Sequence, residues 1–84
     1  MFSGQQDVTA SSVALPTNSV TNSVVVKAMA SNVINIFVGP SGVATTTGYE
    51  LQPGQASPPL SVGNANEIFL IASTTGAKIC FIGT

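Results

Sequence analysis

Three carboxylates, two amines, one phenol and one thiol are the whole stock of titratable side chains in this chain of 84 residues. They are Asp7, Glu50 and Glu67, Lys27 and Lys78, Tyr49, and Cys80. There is no His and no Arg. Nucleophilic schemes in which His activates Ser or Cys therefore have no base. A structural zinc site draws on about four Cys, His or carboxylate ligands, a set these residues do not supply. The hydrolytic scheme still open to these residue types is a pair of carboxylates flanking a glycosidic bond. Nothing in the sequence requires Glu50 and Glu67 to meet. Glu50, between Tyr49 and a Pro-Gly turn, is expected exposed at a strand end. Glu67 opens the last apolar strands, where a charge discourages edge-to-edge aggregation. The expectation is of no enzymatic activity, no catalytic residue, no metal and no cofactor.

Binding motifs are as sparse. Gly39-Pro40-Ser41-Gly42 lacks the Lys-Ser/Thr ending of a phosphate loop, no helix follows it, and Pro40 removes a backbone donor, so it reads as a turn. Two lysines far apart give no footprint for nucleic acid or an anionic membrane. Among the aromatics, Phe2, Phe37, Phe69 and Phe81 fall on strand patterns typical of a core. Tyr49 alone has the amphipathic character of a sugar-binding surface, which keeps a carbohydrate- or receptor-binding module as the weaker alternative. Cys80, the single cysteine, lies between Ile79 and Phe81 and reads as a small buried apolar residue.

These groups must be carried by a small β fold. Charged residues are 6% of the chain, against about 25% in an ordinary soluble domain. Apolar residues are 44% and the net charge is −1. A lone chain of this size buries only about 60–65% of its unfolded surface and often gains stability from a partner. With no disulfide available and so few charges to keep a monomer dispersed, faces covered in an assembly are expected. Residues 1–7 lack the basic start and apolar run of a secretory signal. The longest apolar run, Ile68–Ala72, falls well short of the roughly 20 residues that span a bilayer. The expected product is made in the cytoplasm, with no membrane partner.

Residues 1–23 are rich in Ser, Thr, Asn and Gln, with isolated apolar residues at Val8, Val13, Leu15 and Val20. They read as a frayed terminus or as an extended N-terminal arm laid across a neighbour, with a break at Pro16. Residues 24–84 read as a compact, all-β domain: a small antiparallel β-sandwich or a jelly-roll-like barrel. Val24–Val26 starts a strand, Ser31-Asn32 offers a turn, and Ile34, Ile36 and Val38 share one face. Thr45–Leu51 is β-branched at its start, Pro53-Gly54 has the chemistry of a type II turn, and Pro58-Pro59 confines residues 55–62 to a sheet edge. Glu67–Ala72 and Ala77–Ile82 flank Ser73–Gly76 as a hairpin. Both faces of those two strands are apolar, so both must be covered.

Ile36-Phe37-Val38-Gly39, Gly42-Val43, Gly48-Tyr49-Glu50-Leu51-Gln52-Pro53-Gly54 and Glu67–Ala72 together resemble small tailed-phage virion proteins. The likeness spans about residues 33–83 and leaves the first segment unmatched. It is carried by turn glycines and core positions, and is similar to head decoration (cement) proteins and to small head–tail, tail or fibre-base components. The resemblance implies a virion structural protein assembled in the host cytoplasm, with the major capsid protein as partner and self-association as a homotrimer. Under it, Ile68, Phe69, Leu70, Ile71, Ile79, Phe81 and Ile82 supply sandwich and intersubunit packing. Val8, Val13, Leu15 and Val20 anchor the arm on the capsid or on a sister subunit.

Overall fold

In the computed structural model, which describes residues 1–84, the chain forms seven strands, with inward and outward side chains alternating along them. They are β1 (Phe2–Val8), β2 (Val13–Ala14), β3 (Val24–Ala28), β4 (Ile36–Gly39), β5 (Tyr49–Leu51), β6 (Phe69–Ala72) and β7 (Ala77–Gly83). One 3-10 turn, Ala65–Glu67, precedes β6 and is the sole helical element. One sheet has the order β1-β7-β3 and the other β2-β6-β4-β5, with every pairing antiparallel.

The sheets close over one core. Val24, Val26 and Ala28 of β3 and Ala77, Ile79 and Phe81 of β7 face Ile36 and Val38 of β4, Leu51 of β5, and Leu70 and Ala72 of β6. Ile36, Leu51, Leu70 and Ile79 are fully buried, and each such side chain contributes about 1.5–3 kcal/mol through loss of apolar surface to water. The fold is a small all-β antiparallel sandwich, as the sequence indicates.

The outer edge of β3 is closed by residues 54–60. Val24 and Leu60 exchange backbone bonds of 2.9 and 2.8 Å, Ala28 N–H donates to Gln55 at 3.0 Å, and Ser57 N–H donates to Val26 at 2.7 Å. Pro58 and Pro59 lie in this strap, so an edge is where these residues are found. It starts from the Pro53-Gly54 turn, in which Gln55 N–H donates to Gln52 at 2.8 Å and Gly54 has a φ of +85°, the conformation a type II turn demands of its third residue.

Four expectations are corrected. Residues 1–23 are no separate arm: β1 pairs along its whole length with β7, β2 pairs with β6, and Val8 and Leu15 are buried in the core. Ala77–Ile82 does not form a hairpin with Glu67–Ala72, because β6 and β7 are the central strands of different sheets. A hairpin would occupy an edge of each, and those edges are taken by β1 and β2. Ser73–Gly76 instead crosses between the layers, and about 3.3 Å per extended residue lets such a short link span the roughly 10 Å between packed sheets. Thr45–Thr47 is turn, not strand, with Thr47 N–H donating to Ala44 at 3.1 Å and Ala44 N–H to the Thr47 hydroxyl at 3.0 Å. Cys80 is half-buried on an outer face, because strand alternation that sends Ile79 and Phe81 inward sends it out.

Candidate interaction surfaces

Strand parity decides which apolar residues remain for a partner. In the four-stranded sheet, Phe37 lies between Ile71 and Glu50, and Phe69 lies between Ala14 and Gly39. All alternate with core residues, so Phe37, Phe69 and Ile71 form an apolar row on the outer face, each only half-buried. Residues 40–48 fold back over one end of it. A Cβ on Gly48 would lie 2.6 Å from the Phe37 Cβ and 2.9 Å from the Val43 Cγ2, and one on Gly39 would lie 2.7 Å from that same Val43 methyl. Two bare glycines thus let Val43 pack close beside Phe37 at that end of the row, with Phe69 and Ile71 further along it.

The other sheet presents Ser3, Gln5 and Asp7 of β1, Lys78, Cys80 and Ile82 of β7, and Val25 and Lys27 of β3. It is mixed in character. Asp7 and Lys78 approach to 3.7 Å across the ladder, both well exposed, which makes this a pair of little net energy. Val25 and Ile82 are cross-strand neighbours, with Ile82 48% exposed.

A cleft of about 450 Å³ opens at one mouth of the sandwich, lined on one side by Val38, Pro40 and Tyr49 and on the other by residues 57–62, with Glu67 and Ile68 between. Tyr49 stands at its edge, 54% exposed. The Glu67 carboxylate is already engaged, accepting from Asn64 N–H at 2.9 Å while the Asn64 side chain accepts from Asn66 N–H, a reciprocal cap on the 3-10 turn. Glu50 accepts from the Asn35 amide at 2.7 Å on the outer face and does not line the cleft. Asp7 belongs to the opposite sheet. The three carboxylates have three different partners, Lys78 for Asp7, Asn35 for Glu50 and Asn64 for Glu67. No three His, Cys, Asp or Glu residues are grouped so as to hold a metal ion, and no helix is long and apolar enough to cross a membrane.

No family model, curated protein or solved structure matches this chain. Its surfaces must speak for themselves.

Of the residues expected to supply sandwich and intersubunit packing, Ile68, Leu70, Ile79 and Phe81 lie in this chain's own core, which is the sandwich part of that expectation. Val8 and Leu15, expected on an arm, are buried in the same core. Val13 and Val20 are partly buried against that core rather than carried on an arm. Phe69, Ile71 and Ile82 retain open surface. Phe37 was missed as a surface residue, although the signal was present: if Ile36 and Val38 point inward, Phe37 cannot.

Proposed function

We propose that this chain is a structural subunit of a tailed-phage particle, a head decoration (cement) protein that binds the outer capsid surface and bridges neighbouring capsid subunits. The observation that carries the reading is the row Phe37–Ile71 with Phe69 beside it, apolar residues held half-open on the outer face of a stiff sandwich. Unsheltered apolar surface rimmed by polar residues marks a docking face. Its burial against a capsid shell contributes about 25 cal/mol per Å². Bonds too weak to hold one copy become durable when many copies bind one lattice. The resemblance to virion proteins supports the same reading, since its glycines at 39 and 48 are those that let Val43 pack close beside Phe37. The partners are then the major capsid protein and further copies of the chain, in a virion assembled in the host cytoplasm.

Co-sedimentation with purified phage heads tests this. The wild-type chain is expected to pellet with heads at hundreds of copies, and Ile71→Lys to remain in the supernatant with an unchanged circular dichroism spectrum. Equal pelleting of both proteins would remove the sheet face from the account. A second reading, a carbohydrate- or receptor-binding module at a tail or fibre tip, is favoured by the Tyr49 cleft, whose volume is in the range of small-ligand sites. It predicts that Tyr49→Ala lowers attachment to cells while leaving head stability untouched.

A further inference from the structure

β1 is the one long strand of this fold with a free edge. The edge of β3 is closed by the strap, and the two edges of the other sheet, β2 and β5, are two and three residues long. β1 runs for seven residues, Phe-Ser-Gly-Gln-Gln-Asp-Val, about 24 Å at 3.4 Å per residue.

The direction of its backbone groups follows from its neighbour. Met29 N–H donates to Lys78 and Thr84 N–H donates to Ser23, both at 3.1 Å. Even-numbered residues of β7 therefore bond toward β3, and odd-numbered ones toward β1. The register Phe2↔Gly83, Gly4↔Phe81, Gln6↔Ile79 and Val8↔Ala77 then turns the N–H and C=O groups of Phe2, Gly4, Gln6 and Val8 inward. Those of Ser3, Gln5 and Asp7 point outward, and no backbone bond outside the ladder engages any of them. Of the devices that normally blunt such an edge, β1 has no Pro, no Lys and no bulge, its register running one-for-one, and its single charge, Asp7, sits near one end.

We infer that β1 pairs antiparallel with β1 of a second copy, about a twofold axis at Gln5, to make a continuous six-stranded sheet. In that register Gln5 faces Gln5 of the second copy, and Ser3 and Asp7 face its Asp7 and Ser3. All three outward residues of each strand then meet outward residues of the other, which satisfies six hydrogen bonds. Each Asp7 carboxylate meets a serine hydroxyl, and the two carboxylates stay about four residues, or 14 Å, apart along the ladder. A register centred on Asp7 would oppose like charges, which is unfavourable. A threefold ring would instead need β1 to meet a different edge of the next copy, and neither β2 nor β5 is long enough to match it. The pairing is independent of any place in a phage particle, and a dimer that never touches a capsid leaves it standing.

Sedimentation equilibrium of the full chain, under reducing conditions so that Cys80 cannot cross-link, tests it. A reversible monomer–dimer equilibrium is expected. Gln5→Pro removes an outward N–H and no bond to β7, and should weaken the dimer about tenfold or more. Ser3→Asp, which opposes Asp7 of the second copy, should weaken it about fivefold, and Ser3→Lys should strengthen it by a similar factor. Ser3 is exposed, so this pair decides the matter even if Gln5→Pro fails to fold. A monomer at all concentrations, a trimer, or a dimer indifferent to the sign of the charge at position 3 would overturn the inference.

Discussion

Replacing Ser57 with Ala removes a single oxygen and should cost this fold a large part of its stability. β3 turns the N–H groups of Val24, Val26 and Ala28 toward the strap, where Leu60 and Gln55 supply backbone carbonyls to the first and third at 2.9 and 3.0 Å. The middle one, at Val26, is met by the Ser57 hydroxyl at 3.0 Å, which in turn donates to the Pro58 carbonyl at 3.0 Å. Val26 is fully buried and Ser57 is 7% exposed, so water cannot replace the lost acceptor. An orphaned buried donor costs about 1–3 kcal/mol. Taking about 2 kcal/mol, a domain of this size should melt roughly 8–16 °C lower. Thermal unfolding followed by circular dichroism measures the shift, and hydrogen exchange should show the Val26 amide losing protection. Ser57→Thr keeps the hydroxyl and should melt near wild type, as should Ser61→Ala at an exposed position. A Ser57→Ala protein melting within about 2 °C of wild type would refute the assignment of that hydroxyl to the ladder.

Gly48→Ala forces a Cβ into the space held by Phe37 and Val43 and should destabilise the fold by about 1–3 kcal/mol, read from the urea midpoint. Deleting residues 1–22 takes away β1, β2, Val8 and Leu15, exposes an edge of both central strands, and should give an unfolded or aggregated product, as seen by loss of amide dispersion in NMR. Asn32→Ala should cost about 1–3 kcal/mol in urea unfolding, because its side chain accepts from Lys78 N–H at 2.9 Å and donates to the Lys78 carbonyl at 2.8 Å. Asn32→Asp should not restore the loss, since a carboxylate cannot donate.

Much of the fold was legible because short-range chemistry dictates it. The period of two at Ile34–Val38, the Pro-Gly turn and the edge position of Pro58-Pro59 all depend on neighbours in sequence. β1 was hidden because its inward positions do not look apolar. Gly4 sits there because a Cβ would lie 2.9 Å from the tip of the Phe81 ring, and Phe2 itself packs over Gly83. The aromatic rings fill across the ladder what a local apolar residue would otherwise fill, with Phe2 and Phe81 centroids 6.2 Å apart. The split of β6 and β7 into different sheets was equally invisible, since it depends on the remote β1 and β2 claiming their edges. Asn32 and Asn64 read as turn residues and Ser57 as part of an edge segment, yet each supplies hydrogen bonds to distant backbone, at separations of 46, 46 and 31 residues for Lys78, Asn18 and Val26. The outer apolar row was half in view: Phe69 and Ile71 stand out as apolar strand residues, but their core neighbours Ile68 and Leu70 are as apolar, so apolarity alone does not separate inward from outward.

Under the proposed function, cryo-electron imaging of purified phage particles that carry this chain bears most directly on its role. The account predicts many copies of the sandwich on the head exterior, each seated with Phe69 and Ile71 against the capsid shell. Particles with no copy on the head, or with a few copies at the tail tip engaged through the Tyr49 cleft, would contradict it.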